Sequence, residues 1–184
     1  TQNRSPPSPP PATTSDPPPI AMDSSRYEFG TPDGPRRIRE SFARQGAMAT
    51  IGARIDAVEP GYCAISIVPH GGLLQQHGYV HAGVVSMIVD SAGGYAGLTL
   101  FPAEASVLTV EFKINLLAPA EGDRIVAEGF VVKPGRTLCI ARGEVHAEQD
   151  GRRRLVALMQ QTLMQMHGRD DGEARTLQTP KGRP

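Results

Sequence analysis

A single carboxylate, Asp90, stands inside the long apolar run of residues 84–100. Burying an ionised carboxylate without partners is costly, so Asp90 is expected to have a specific reason to be there. Nine residues before it, His81 is followed by Ala82 and Gly83 at the start of a predicted helix. The first backbone N–H groups of a helix are unpaired donors that can polarise a carbonyl group. The segment therefore combines a polarising site with a carboxylate, which are the parts needed for attack on a carbonyl carbon.

The spacing of these two parts predicts an oligomer. Nine residues along a helix rise about 13 Å and turn through about 180°. His81 and Asp90 therefore cannot face one substrate from the same helix. A two-fold dimer would bring the helix start of one subunit to Asp90 of the other. We expect a homodimer with two shared sites, alone or as half of a tetramer.

Composition excludes several classes of partner. The 184 residues suffice for one domain, and 19 basic residues balance 19 acidic ones, so no nucleic-acid partner is expected. Asp90 and the pair Gly93-Gly94 interrupt the most apolar stretch, so no membrane span is predicted. The N-terminal residues lack an apolar signal core, which favours a cytoplasmic location. Cys63 and Cys139 lie in apolar, strand-like segments and are interpreted as buried thiols; no metal or cofactor site is predicted.

The chain divides into three segments. Residues 1–34 hold most of the prolines and are predicted to be a disordered, Pro-rich tail. Residues 35–167 are predicted to fold as one domain, and the charged, Gly-rich residues 168–184 as a flexible tail. Within the domain, apolar periodicity and turn residues predict one short helix, one long helix and six strands. The predicted bounds are a helix from Pro35, strands 48–58 and 62–68, a helix over 80–100, and strands 106–117, 124–132, 137–148 and 153–166.

This order predicts an α+β architecture in which one antiparallel sheet wraps around one long central helix. In strand 106–117, apolar residues alternate with polar ones, which indicates one buried and one wet face. Thr109 falls on the polar side of that alternation.

Three motifs in order carry a resemblance to a known family. They are residues 75–83 followed by Asp90, residues 117–120 (Leu-Ala-Pro-Ala), and residues 134–137 (Pro-Gly-Arg-Thr). Together they resemble the hotdog-fold acyl-CoA thioesterases of the PaaI-like type, over about residues 40–167. Two positions depart from that pattern: Gln75 stands where the family has Asn, and Ala82 where it has Gly. A second His-Gly-Gly sequence at residues 70–72 has no acid nine residues later and is interpreted as a loop.

The resemblance implies hydrolysis of an acyl- or aryl-acyl-CoA thioester and a role for each matching residue. The backbone N–H groups of Ala82 and Gly83 would polarise the thioester carbonyl, while Asp90 would attack it or activate water. The remaining matches would support these two: Gln75 by bonding the carbonyl or the water, His81 by holding the loop, Thr109 by positioning water, and Arg136 with Thr137 by contacting the phosphates of coenzyme A.

Other interpretations remain open at this stage. Asp90 could be a buried structural acid, Gln75 a residue that satisfies backbone groups, Thr109 a plain strand former and Arg136 a plain turn residue. The departures at Gln75 and Ala82 also fit a non-catalytic protein that binds or senses acyl-CoA. A hydratase on the same fold is less favoured, because the spacing of His81 and Asp90 puts them on opposite faces of the helix.

Overall fold

A computed structural model describes residues 26–168 of the chain. Within them, six antiparallel strands form one sheet in the order β1-β2-β4-β5-β6-β3, so β1 and β3 are its edges. The long helix α3 lies between β2 and β3 in the chain. The helices are α1 Gly34–Ala43, α2 Gly46–Thr50 and α3 Ala82–Leu98, and the strands are β1 Arg54–Glu59, β2 Tyr62–Ile67, β3 Ala105–Leu116, β4 Arg124–Lys133, β5 Leu138–Gln149 and β6 Arg152–His167.

Helix α3 packs directly on the middle of the sheet. From Val85 onwards most of its side chains are buried. Glycines on two central strands make the close approach possible: a Cβ at Gly129 would overlap the backbone at Ala92, and a Cβ at Gly143 would overlap the side chain of Val89. The expected α+β architecture, one sheet around one long helix, is confirmed.

A β-bulge interrupts β3 where it pairs with β6. Thr109 lies opposite Leu163, but Glu111 lies opposite Thr162, so Val110 is an extra residue. Because side chains alternate with a period of two, the extra residue reverses which face each position takes. The predicted single alternation through residues 106–117 is therefore wrong, and Thr109 faces α3 instead of solvent.

The first predicted strand, 48–58, is also wrong in its first half. Residues 46–50 form the short helix α2, and the strand begins only at Arg54. Met48 and Ile51 are both buried and lie three residues apart, which is a helical spacing. Gly52 then turns the chain at a positive φ of 67°.

The folded part of the chain begins earlier than the predicted boundary at residue 34. The backbone N–H of Gly30 donates to the carbonyl of Thr99 at 2.8 Å, and Thr31 is buried. Gly30 and Thr31 thus belong to the folded part of the chain, which corrects the predicted boundary at residue 34. Residues 1–25 and 169–184 lie outside the described residues, so the two tails stay predictions there.

Both cysteines lie in the core of the sheet. Cys63 and Cys139 are free, buried thiols, and burial raises their pKa values to about 12 and about 11. Such thiols stay protonated and behave as small apolar side chains. In residues 26–168 we find no cluster of side chains suited to a metal ion. No helix within that range is both long and apolar enough to cross a membrane.

Candidate active site

A tight loop delivers the chain to the start of α3. The backbone N–H of Gln75 donates to the carbonyl of Tyr79 at 2.8 Å, and the N–H of Gly78 donates back to Gln75 at 2.9 Å. Gly78 has a φ of 87°, which glycine adopts without strain. Beyond the turn, the N–H of His81 donates to the carbonyl of Leu73 at 2.9 Å. These bonds fix the position of the first helical residue.

His81 is the N-cap of α3, and its side chain occupies one of the two predicted donors. Its Nδ1 accepts a hydrogen bond from the N–H of Gly83 at 2.9 Å, so that N–H is already occupied. The N–H of Ala82 has no partner among residues 26–168, and Ala82 has a negative φ, so alanine is unstrained there. Of the two donors, Ala82 alone is available for a ligand.

A cavity of about 410 Å³ opens at this helix start. It is lined by Gln75 and Ala82 together with residues 116–120, at and after the end of β3. Gln75 also stabilises its own turn, because its Oε1 accepts from the N–H of His77. Asp90 and Thr109 do not line this cavity.

Asp90 is half-buried and held through one oxygen. Its Oδ1 accepts hydrogen bonds from Thr109 Oγ1 at 2.8 Å and from Gln161 Nε2 at 3.1 Å. No donor in the described part of the chain reaches Oδ2. Burial raises the pKa of Asp90 above its ordinary value of 3.8, and the two hydrogen bonds offset part of that rise. The arrangement leaves one carboxylate oxygen able to act as a base or nucleophile.

Thr109 lies directly before the bulge in β3 and reaches Asp90 from that strand. Its partner across the strands, Leu163, packs against α3 close to Gly97. Cross-strand partners share a face, so Thr109 also points at the helix. Thr109 therefore lies beside Asp90. Its role in positioning water, which the family resemblance implies, stays a prediction.

Gln161 was missed by the sequence analysis. It lies on β6 and is 1% exposed, with Nε2 bonded to both the side chain and the backbone carbonyl of Asp90. A signal was present: in the alternation of β6, Gln161 falls between the buried residues Met159 and Leu163. A polar residue at an apolar position of a strand calls for an explanation.

The turn with Arg136 and Thr137 lies far from the cavity within one chain. Arg136 is exposed, and the carbonyl of Thr137 accepts from the N–H of Gln165 at 2.9 Å. Through the strand pairings this turn lies near Leu108, at the start of β3, whereas the cavity lies at its end. Eight residues of strand separate Leu108 from Leu116, about 26 Å.

The two candidate groups on α3 are too far apart to act on one carbonyl within a single chain. Ala82 and Asp90 are eight residues apart on α3, which corresponds to a rise of about 12 Å. A thioester carbonyl bonded to the N–H of Ala82 is out of reach of the carboxylate on the same helix.

Comparison with known proteins identifies the family. Residues 77–153 match the model of the Thioesterase superfamily. A crystal structure of a thioesterase family protein from Silicibacter pomeroyi is 50% identical, with a TM-score of 0.72, over 73% of this chain and 99% of that one. The chain belongs to the thioesterase superfamily. Its hotdog fold and the resemblance to the PaaI-like type are thereby confirmed, and so is the prediction of a thioester hydrolase.

More distant relatives agree with this thioesterase assignment. A protein of Halobacterium salinarum, provisionally named an esterase, is 28% identical over 66% of this chain and 83% of its own length. The PaaI protein of E. coli, from the phenylacetic acid degradation operon, is 18% identical with a TM-score of 0.67, covering 74% of this chain and 95% of that one. At that identity the likeness is one of fold.

Proposed function

We propose that this thioesterase hydrolyses acyl-CoA or aryl-acyl-CoA thioesters at sites shared between two subunits. The observation that carries the proposal is Asp90, a half-buried carboxylate whose Oδ1 is held by two donors while Oδ2 stays open. The N–H of Ala82 supplies the complementary group, an unpaired donor at the start of a helix.

The chemistry needs both groups at one carbonyl. Asp90 either attacks the thioester carbon itself or takes a proton from the water that does. In both routes the carbonyl oxygen gains negative charge, which the N–H of Ala82 stabilises. Collapse of the tetrahedral species breaks the C–S bond. In the water route the free acid forms at once, and the proton taken by Asp90 passes to the leaving thiolate of coenzyme A. In direct attack the thiolate leaves and the acyl group stays on Asp90 as a mixed anhydride, which water then hydrolyses to the free acid, supplying the proton for the thiol. Both routes require Asp90 to be ionised.

Strand β3 supports a dimer. It is an edge strand of 12 residues, and Leu108, Val110 and Phe112 on it are 51%, 55% and 46% exposed. A long edge strand with exposed apolar residues is a template for pairing with another chain. Antiparallel pairing of β3 with its own copy gives an isologous two-fold interface.

Such a dimer would also bring the separated halves together. Where two copies of β3 run antiparallel, the start of one strand lies beside the end of the other. The Arg136 turn lies at the start and the cavity near Ala82 lies at the end. The Arg136 turn of one subunit is then placed beside the cavity of the second. Asp90 of one subunit faces the start of α3 in the other.

A thiol-release assay over short, long and aromatic acyl-CoAs tests the proposal. We expect release of coenzyme A that follows enzyme concentration, together with a dimer or tetramer in sedimentation. Tight binding of acyl-CoA without thiol release would instead identify a binding or sensing protein and overturn the proposal.

Replacing Thr109 with valine tests the first donor to Asp90. The change keeps the shape of the side chain and removes one hydrogen bond to a charged group, a bond worth about 1.5–3 kcal/mol. We expect kcat to fall by about 10- to 100-fold and the acid limb of the pH profile to move to higher pH. Thr109→Ser should keep most of the activity. Thr162→Val is the matched control, since that hydroxyl bonds Glu111 instead; an equal loss there would refute the role of Thr109.

Replacing Arg136 with alanine tests recognition of coenzyme A. Arg136 is exposed and has no hydrogen bond or ion pair within residues 26–168. We expect KM for acyl-CoA to rise about three- to tenfold with kcat unchanged, as for loss of one exposed cation near a phosphate. The effect should vanish with an acyl-pantetheine substrate, which lacks the nucleotide phosphates. Lys133→Ala is the control, and an effect of Arg136→Ala on both substrates would contradict the assignment.

A further inference from the structure

Asp90, Thr109 and Gln161 form a hydrogen-bonded cluster. Gln161 is the one side chain of this cluster that has no role in the proposed reaction so far. Its amide is fully enclosed between β6 and α3, and Nε2 donates to Asp90 Oδ1 at 3.1 Å and to the carbonyl of Asp90 at 3.2 Å. It therefore contacts both the side chain and the backbone of the same residue.

If Gln161 had only a structural role, an apolar side chain would be more favourable at this position. Its Oε1 is buried and has no partner among the described residues. Leaving a buried acceptor unpaired is costly, and an apolar side chain of the same length would avoid that cost. The neighbouring residues Met159 and Leu163 on the same face show that this layer accepts apolar side chains.

Gly93 makes room for the amide. A Cβ at this position would overlap Gln161 Oε1, so any larger residue would push the amide away from Asp90. Glycine inside a helix is unfavourable relative to alanine. Helix α3 thus has glycine, a weak helix former, at the position that contacts the Gln161 amide.

The hydrogen bonds from Thr109 and Gln161 both orient the carboxylate of Asp90. Thr109 approaches Asp90 Oδ1 from β3 and Gln161 approaches the same oxygen from β6. Two donors on different strands fix the carboxylate plane, and both leave Oδ2 unoccupied. A carboxylate held in one rotamer is pre-oriented for attack or proton transfer.

We infer that Gln161 is a positioning residue of the thioesterase reaction, which holds Asp90 through Oδ1 so that Oδ2 faces the substrate. The inference rests on the proposed function, because it assumes that Asp90 takes part in the reaction.

The test compares Gln161→Met with Gln160→Met in the full-length protein, using an acyl-CoA that the parent hydrolyses. Methionine matches the length of glutamine and removes both hydrogen bonds that Gln161 Nε2 donates to Asp90. Gln160 directly precedes Gln161 on β6 and is exposed on the opposite face, so it is a matched control. For Gln161→Met we expect kcat to fall by about 10- to 100-fold with KM unchanged, as for loss of a hydrogen bond to a charged group. The acid limb of the kcat/KM profile should move to higher pH, and Tm should not fall.

Gly93→Ala displaces the amide by a different route. It leaves Gln161 and Asp90 chemically intact and puts a better helix former in α3. We expect the same loss of kcat and the same shift of the acid limb. The double variant with Gln161→Met should be no worse than the poorer single variant, since both act on one contact.

Asp90→Asn distinguishes failure of this inference from failure of the proposed function. If Asp90→Asn is inactive while Gln161→Met keeps the parent kcat and pH profile, the positioning role is wrong and the proposed function stands. A fall in both Tm and kcat without a shift in the pH profile would identify a structural role and also overturn the inference. If Asp90→Asn is itself active, the proposed function fails first.

Discussion

Replacing Asp90 with asparagine is expected to lower kcat for acyl-CoA hydrolysis by at least about a thousandfold, as when an essential nucleophile or base is removed. Asparagine keeps the shape of the side chain and can still accept from Thr109 and Gln161 through its carbonyl oxygen. It can neither attack the thioester nor take a proton from water. The loss should therefore appear in kcat, with KM little changed.

The same substitution should not weaken the fold. Burial raises the pKa of Asp90 in the folded chain above the ordinary value of 3.8. At pH values between 3.8 and the raised pKa, Asp90 holds a proton in the folded chain that it has released in the unfolded chain. The free energy of unfolding therefore falls as the pH rises through this range. Above it the charged carboxylate remains a cost to the fold, which asparagine removes. Thermal unfolding at pH 7 should give a Tm equal to or above that of the parent.

Glu59→Gln is the control for Asp90→Asn, because Glu59 is an exposed carboxylate at the last position of β1. It should keep the parent activity. Turnover by Asp90→Asn at the parent rate would show that this carboxylate is structural, and the proposed mechanism would have to be abandoned.

Mixing two inactive variants should restore activity if each site is shared between subunits. One variant is Asp90→Asn, and the other removes the donor at the helix start. Random exchange makes half of the dimers mixed, and each mixed dimer has one site with both groups intact. The expected recovery is about a quarter of the parent activity.

Ala82→Pro removes that donor while keeping the helix. Ala82 is the first residue of α3, a position where proline is well tolerated because its missing N–H has no helical partner. The preceding residue, His81, has φ −60° and ψ 136°, an extended conformation that suits a residue before proline. Loss of one oxyanion donor should lower kcat by about 100- to 1000-fold.

The control mixture is Asp90→Asn with Asp90→Ala, in which no dimer can contain an intact site. It should stay inactive. If the mixture of Asp90→Asn and Ala82→Pro also stays inactive while subunit exchange is demonstrated by mass, the two groups do not work across a subunit interface, and the shared-site model is wrong.

The sequence located the acid and the helix start because both stand out locally. Asp90 is a charge in an apolar run, and Ala82 follows a histidine and a turn that mark a helix terminus. The bounds of the long helix and of the last five strands were predicted within a few residues, because the hydrophobic periodicity of each segment is sustained over its length. The short helix α2 escaped because five residues are too few to distinguish a helix from a strand by periodicity.

Two features of the site depend on tertiary structure. A bulge has no fixed sequence signature, so the direction of Thr109 could not be read from the alternation in β3. Gln161 lies 71 residues from Asp90 in the chain, and nothing local links them. Its place on the apolar face of β6 indicated that it had some role, but only the fold identifies its partner.

The extra residue in β3 has a consequence for how this enzyme can vary. Thr109 and Phe112 are three residues apart, but their partners Leu163 and Gln161 are only two apart on β6, so both face α3 and Val110 is the surplus residue between them. Deleting Val110 would leave a regular ladder in which Thr109 still lies opposite Leu163 and still faces Asp90. The hydroxyl donor is thus independent of the extra residue, and we expect β3 to accept the loss of Val110 without losing the hydrogen bond from Thr109 to Asp90.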